Sequence, residues 1–294
     1  MVRIITDSCA DFEPAELEKN NITCVPLSIH FGDREYVENV NLTKEQYFEL
    51  LKTEKHFPKT AQPSPQTFAA IIQDAKEKGE GVVIVTISSG LSGTYQGAVL
   101  AKNMAEYDDC YVIDSLTGTG GERLLVEHAC RMRDEGKSAR EIAEVIEEMR
   151  HRVVLYTCMD TLEYLHRGGR ISHTAYTIGS LTHIKPIMHV DKQGRPEIPA
   201  KMLGMRKAMD FILRKISENP MDPAHPMTVM YTADRSNGEK LAERIRSELG
   251  IDVPDDRIVP VGAAVGTHIG PNACAVVFVA EKPEQIGQQK APIG

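Results

Sequence analysis

The residues most able to do chemistry fall in a few short stretches. In SSGLSGTYQGA, residues 88–98, a serine sits among glycines just after the apolar run VVIVTI. Three roles are open to Ser92. As a hydrolase nucleophile it needs a G-x-S-x-G elbow, where small residues allow a sharp strand-to-helix turn, plus an acid and a histidine. Gly90-Leu91-Ser92-Gly93-Thr94 fails that pattern at its fifth position. Asp114 and His268 could serve as partners, but no spacing places them. As a helix N-cap, Ser92 would accept from backbone amides. As an anion ligand, its hydroxyl and the helix-terminal amides, with glycines for close approach, would suit a phosphate or carboxylate; that role is compatible with the cap.

Other stretches add candidates. In KTAQPSP, residues 59–65, two prolines hold the backbone extended ahead of a helix, and Thr60 is either a plain loop hydroxyl or a donor aimed at a ligand. HRGGRIS, residues 166–172, puts two arginines around a Gly-Gly turn, where they could clamp an anion or cap the preceding helix. In VGTHIGPNA, residues 265–273, His268 lies in a Gly/Pro-flanked loop between apolar runs, as a ligand or general base or as a satisfied structural histidine. DSLTGTGGERLL, residues 114–125, lacks both the Walker Lys-Ser/Thr pair and the third dinucleotide glycine. Its glycines predict close helix–strand packing, and these motifs do not support a nucleotide site of the chain's own. Cys9, Cys24, Cys110, Cys130, Cys158 and Cys274 are scattered without a CxxC pair or metal-ligand spacing, which predicts reduced, buried thiols and no metal.

The elements that must position these residues follow βαβα grammar. Strands are predicted at residues 2–6, 24–30, 82–87 and 110–114, and the continuous β-branched run at 82–87 reads as a strand buried on both faces. Thr43 with Gln46 forms a capping-box pattern before a helix to Leu51. Ser64-Pro65 opens a helix with Phe68, Ile71, Ile72 and Ala75 on one face. Helices follow at 95–105, up to Arg133, and at 138–150. Beyond residue 153 come a strand, a short helix broken at Gly168-Gly169, and a hairpin or meander from 184 with a turn at Gln193-Gly194. A helix at 207–218, strands at 229–232, 257–261 and 274–280, and a helix at 236–249 complete the pattern. The expected organisation is an N-terminal parallel-sheet α/β domain over 1–155, a C-terminal α/β domain with a mixed sheet over 156–280, and a disordered tail over 281–294.

With 294 residues and a net charge of −8, the chain can bury a full core and carries no electrostatic footprint for nucleic acid. No apolar run is long enough to cross a bilayer, and the N-terminus reads as strand and turn, so a cytoplasmic protein is expected.

Taken together these stretches resemble the DegV family of bacterial fatty-acid-binding proteins. The matching pieces are Asp7-Ser8, VPLSIHFGDREY with Phe31-Gly32, TAQPSP, SSGLSGTYQGA, VIDSLTGTGG, RGGRIS, IKPI and HIGP, in family order over roughly residues 2–280. Two positions depart: Ala61 stands where serine is usual, and Asn272 replaces a common glycine in the loop after His268. The resemblance implies a two-domain DegV-like α/β fold enclosing one long-chain fatty acid in a tunnel between the domains. Thr60, Ser92 and Gly93 would bind the carboxylate, with His268 and Arg170 in the same polar cluster. It also implies a non-enzymatic carrier without cofactor; the sequence does not fix the oligomeric state, and a monomer is favoured. Its partner would be an ATP-dependent fatty acid kinase subunit that makes an acyl phosphate for phospholipid synthesis. On this reading Ser92 donates a hydrogen bond and attacks nothing. The alternative is a serine-dependent acyl hydrolase using Ser92 and His268. Arg170, Lys201 and Arg206 are candidates for a basic docking patch for the partner or for transient membrane contact.

Overall fold

The computed structural model describes residues 1–177 and 183–283. These form two compact units: Met1–Arg150 with Gly262–Thr267, and His151–Val261 with the chain from His268 onward. Beyond Pro283 the tail expected to be disordered lies outside the described residues.

In the first unit, β1 (Val2–Asp7), α1 (Pro14–Lys19) and β2 (Ile22–Val25) lead into the antiparallel strands β3 (Ser28–Phe31) and β4 (Arg34–Val37). The run 24–30, expected as one strand, is therefore two. Pro26 cannot donate to a ladder, and the chain leaves one sheet there to enter another. Helix α2 (Lys44–Thr53) starts at the expected box, with Thr43 and Gln46 each accepting from the other's backbone N–H. Next come β5 (Lys59–Ala61), α3 (Pro65–Glu77) capped by Ser64, β6 (Gly81–Thr86), α4 (Thr94–Ala105), β7 (Cys110–Asp114), α5 (Gly120–Asp134) and α6 (Ala139–Met149).

Strands order as β2-β1-β6-β7, all parallel, beside a small antiparallel sheet β4-β3-β5. Every residue of β6 is buried, as its unbroken apolar run requires. Helices α3 and α4 cover one side with Phe68, Ile72, Ala98 and Ala101 packed on Ile5 and Ile84. Helices α5 and α6 also pack against the sheet strands. The small sheet gathers Ile29 and Phe31 with Tyr47 and Phe48 of α2.

The second unit runs β8 (Val153–Cys158), α7 (Glu163–Arg167), α8 (His173–Thr177), β9 (Ile184–Val190), β10 (Pro196–Leu203), α9 (Gly204–Glu218), β11 (Thr228–Tyr231), α10 (Ser236–Leu249) and β12 (Ile258–Pro260), and after α11 (Ala263–Ile269) it closes with β13 (Cys274–Val279). Its sheet is ordered β10-β9-β8-β13-β11-β12 and is mixed, with only β11 and β12 parallel. The expected hairpin turns with Gly194 at φ +74°, a conformation that costs glycine no steric strain. Tyr156, Ile212, Val276 and Phe278 share its core. The six cysteines are free thiols, all buried except the half-buried Cys24. No helix among the described residues is long and apolar enough to cross a membrane.

Candidate functional site

Strand β1 lies between β2 and β6, so the strand order reverses beside it. In open α/β sheets ligands bind at the carboxyl ends of the strands at such a reversal. The loops leaving β1 and β6 there are tied together by Asp7: its Oδ1 accepts from Cys9 N–H (2.9 Å) and its Oδ2 from Ile87 N–H (2.9 Å). The loop after β6 winds tightly, with Ser88 Oγ accepting from Gly90 N–H (3.1 Å) and Ser88 carbonyl from Ser92 N–H (3.0 Å).

Ser92 is not the cap of α4. Gly93 holds that position, and half-buried Ser92 sits one residue earlier, where its Oγ accepts from Thr94 N–H (3.3 Å) and pairs with the Thr94 hydroxyl (2.9 Å). The expected N-cap serine is thus displaced by one residue, and Gly93 stands where a side chain would meet Gln62. Thr60 is half-buried on β5, opposite Ile29 of β3. Glycines bring the two stretches together: a Cβ on Gly93 would overlap Gln62 Oε1, and one on Gly97 would stand 3.6 Å from Gln62 Nε2. TAQPSP and SSGLSGTYQGA therefore form one corner of the first unit.

The hydrolase alternative is not supported. Asp114 Oδ1 is occupied by the N–H groups of Ser89 (3.1 Å) and Leu116 (3.0 Å), and the Ser92 hydroxyl by Thr94. Neither joins an imidazole among the described residues. The glycines of 114–125 make close approaches to loops rather than to a strand: Gly118 faces Ile87 Cδ1 just beyond β6 (3.3 Å for an added Cβ), and Gly121 leaves no room beside Thr117 of its own loop.

His268 corrects another expectation. It lies in the last turn of helix α11 rather than in a loop, with Gly262 and Gly266 giving that short helix clearance beside Glu38 and Phe48. In the second unit the Gly168-Gly169 turn meets it, and a Cβ on Gly168 would overlap His268 Nδ1. Arg170 is drawn in by the turn, its Nη1 donating to Gly168 carbonyl (2.6 Å) and its N–H to Leu165 carbonyl (2.8 Å). Burial, and then the Arg170 charge, lower the His268 pKa to about 3, so the imidazole is neutral at ordinary pH. Lys201 lies half-buried on β10 and Arg206 exposed on α9.

Sequence reasoning missed a set of buried acids at the same sheet edge. Asp7, Asp11, Glu38 and Glu122 are all inaccessible to solvent or nearly so. Burial raises Asp7 and Asp11 to about 6 and Glu38 to about 7, and lifts Glu122 well above its usual value. Lys44 and Arg123 lie among them, with Lys44 Nζ on Asp11 carbonyl (2.8 Å) and Glu13 (2.7 Å), and Arg123 paired to Glu16. Asp7 could have been suspected, as an acid closing a buried strand. Glu38 follows the short strand REYV, whose first two residues are exposed, and gives no such sign.

A family model described as "uncharacterised protein, DegV family" matches residues 1–281. The chain belongs to the DegV family. It is 34% identical over 284 residues to a DegV domain-containing protein of Clostridium acetobutylicum, covering 95% of this chain and 98% of that one. Against a counterpart from Caldanaerobacter subterraneus the identity is 32% over 279 residues, with 94% and 98% covered. Among solved structures, a DegV family protein from Thermus thermophilus described by its fatty acid binding superposes with a TM-score of 0.85 at 26% identity, covering 95% and 99% of the chains. A stearic acid-binding protein from Eubacterium ventriosum gives 0.83 at 26%, covering 95% and 98%. DegV of Bacillus subtilis, a fatty acid binding protein, gives 0.82 at 26%, covering 95% and 99%.

Proposed function

We propose that this DegV protein is a carrier that binds one long-chain fatty acid, with the tail in an apolar channel between the two units. In this reading Thr60, Ser92 and the Gly93 backbone meet the carboxylate from the first unit, and His268 with Arg170 from the second. The observation that carries the proposal is the end-to-end match to DegV proteins that bind fatty acids. The chemistry of the residues agrees. Each buried CH₂ is worth about 0.8 kcal/mol, so a tail of roughly sixteen carbons offers on the order of 12 kcal/mol before the costs of binding. Affinity can thus come from the tail, and the head group needs only donors. Hydroxyls and a neutral imidazole satisfy a carboxylate without the bidentate grip of an arginine, leaving an oxygen able to attack a γ-phosphate. The nearby Arg170 charge favours the same anion.

The carrier would hand that carboxylate to an ATP-dependent kinase subunit, which forms the acyl phosphate. The absence of Walker and dinucleotide patterns in the sequence fits a borrowed ATP site. Native mass spectrometry of the chain purified from a bacterial host tests the binding: a co-purified mass in the fatty-acid range should vanish in a Thr60→Ala/Ser92→Ala double variant. Ester turnover abolished by Ser92→Ala would overturn it. Acyl-phosphate formation with kinase and ATP tests the partner.

A further inference from the structure

We infer that Asp11 and Glu38 are positioning residues, two buried carboxylates that fasten the returning segment Gly262–Thr267 into the first unit and so fix the backbone that carries His268. The inference rests on the reading above for the role of His268, and on the following geometry for the fastening itself.

After Arg150 the chain builds the second unit and comes back to the first only for Gly262–Thr267. The first N–H groups of a helix have no acceptor within it. At the start of α11 two of them are taken by acids from distant parts of the chain: Gly262 N–H donates to Asp11 Oδ1 (2.8 Å) and Ala264 N–H to Glu38 Oε1 (3.1 Å). Hydrogen bonds to a carboxylate are about twice as strong as neutral ones, and negative charge suits a helix start.

The acids are themselves held. Asp11 sits in the left-handed region (φ +59°) right after the turn that ends β1, its Oδ2 accepts from the Thr119 hydroxyl (2.5 Å), and its carbonyl accepts from Lys44. Glu38 is 1% exposed. A buried carboxylate is expensive, so a neutral cap would have served stability better. What the two acids add is a fixed anchor.

The segment is shaped for that anchor. A Cβ on Gly262 would overlap Glu38 Oε1 and stand 2.8 Å from Asp11 Oδ1, and one on Gly266 would stand 2.9 Å from Phe48 Cζ. Thr267 bonds the Tyr47 hydroxyl (3.0 Å), and its own hydroxyl donates to Ala263 carbonyl (2.8 Å). The next residue is His268, so any slip of the fastened turn passes to its imidazole through a single peptide link.

Amide hydrogen exchange on the full chain, paired with palmitate titration, tests the inference. In Glu38→Ala and Asp11→Ala, exchange across 262–267 should accelerate at least about tenfold while β6 amides keep their protection, and palmitate affinity should fall about tenfold. Glu38→Gln and Asp11→Asn retain an acceptor oxygen and should restore the larger part of both. Glu38→Ala removes a single acceptor and carries the comparison should Asp11→Ala not fold. Unchanged exchange in a folded alanine variant overturns the fastening, as does an equal effect in the isosteric variants. Accelerated exchange with undiminished palmitate affinity overturns the link to His268. A wild-type chain that takes up no palmitate removes the carrier reading, and the exchange comparison then decides the fastening alone.

Discussion

Gly168 and His268 are fitted to one another: the imidazole Nδ1 occupies the space that any side chain at 168 would fill, with Tyr164 carbonyl 3.0 Å from the same point. Because one neighbour is a largely buried ring and the other is backbone, neither yields easily. Gly168→Ala should therefore cost about 1–3 kcal/mol of stability, in the range for overpacking. It should also displace the imidazole and weaken palmitate binding. Denaturant unfolding and palmitate titration of the variant check the two effects, and a variant matching wild type in both would show that the ring has room to move.

Gly93 poses the same question with a different answer. The atom its Cβ would strike is Gln62 Oε1, the end of an exposed, flexible side chain, and its φ of −77° suits any residue. Gly93→Ala should shift stability by less than about 0.5 kcal/mol, as at ordinary surface positions. Displacing Gln62 would nevertheless disturb the contact between the Thr60 and Ser92 stretches. Palmitate affinity should drop by about tenfold while the melting curve barely moves. A large loss of stability without loss of affinity would mean that Gln62 supports the fold rather than the corner.

Thr60→Ala and Ser92→Ala each remove one hydroxyl donor. A single hydrogen bond to a charged group contributes about 1.5–3 kcal/mol, so each variant should bind palmitate at least tenfold more weakly. Since both hydroxyls would serve one carboxylate, the double variant should depart from the product of the single effects. Isothermal titration of the three variants reads this directly. Strict additivity would place the hydroxyls on separate ligand atoms or in separate roles.

What the sequence made legible follows from how each feature is encoded. Strand β6 and helix α10 were readable because an unbroken apolar run and a strong amphipathic period are local signals. The split at Pro26 was present in the sequence but outweighed by the apolar residues around it. Helix α11 was misread because glycines, normally turn residues, serve here to fit a short helix against Phe48, Glu38 and Asp11. The Thr60 and Ser92 stretches were joined by the family resemblance alone, since the contact through Gln62 is tertiary and no local spacing encodes it. Glu38 was invisible for the same reason: its hydrogen bond reaches Ala264, 226 residues away.

Stability should carry opposing pH dependences from these buried groups. Glu38 is faced by Ser8, Asp11, Lys44 and the Ala264 N–H, with Asp7 and Glu122 in the same acid cluster. Burial, reinforced by Asp11, raises its folded pKa to about 7 from a usual 4.5, so the folded chain holds the proton longer. Its contribution is complete below pH 4.5 and is lost as pH rises through 7. Asp7 and Asp11, at about 6, act in the same sense. His268 acts in the other: held down to about 3 from 6.5, it contributes stability above pH 6.5 that is lost as pH falls toward 3. In Glu38→Gln the acceptor for Ala264 remains and one descending contribution is gone. Its melting temperature relative to wild type should be higher at pH 7.5 than at pH 5, by about 2–4 °C for each kcal/mol recovered. An identical offset at both values would mean that Glu38 is ionised across the whole range, with Lys44 offsetting the cost of its burial.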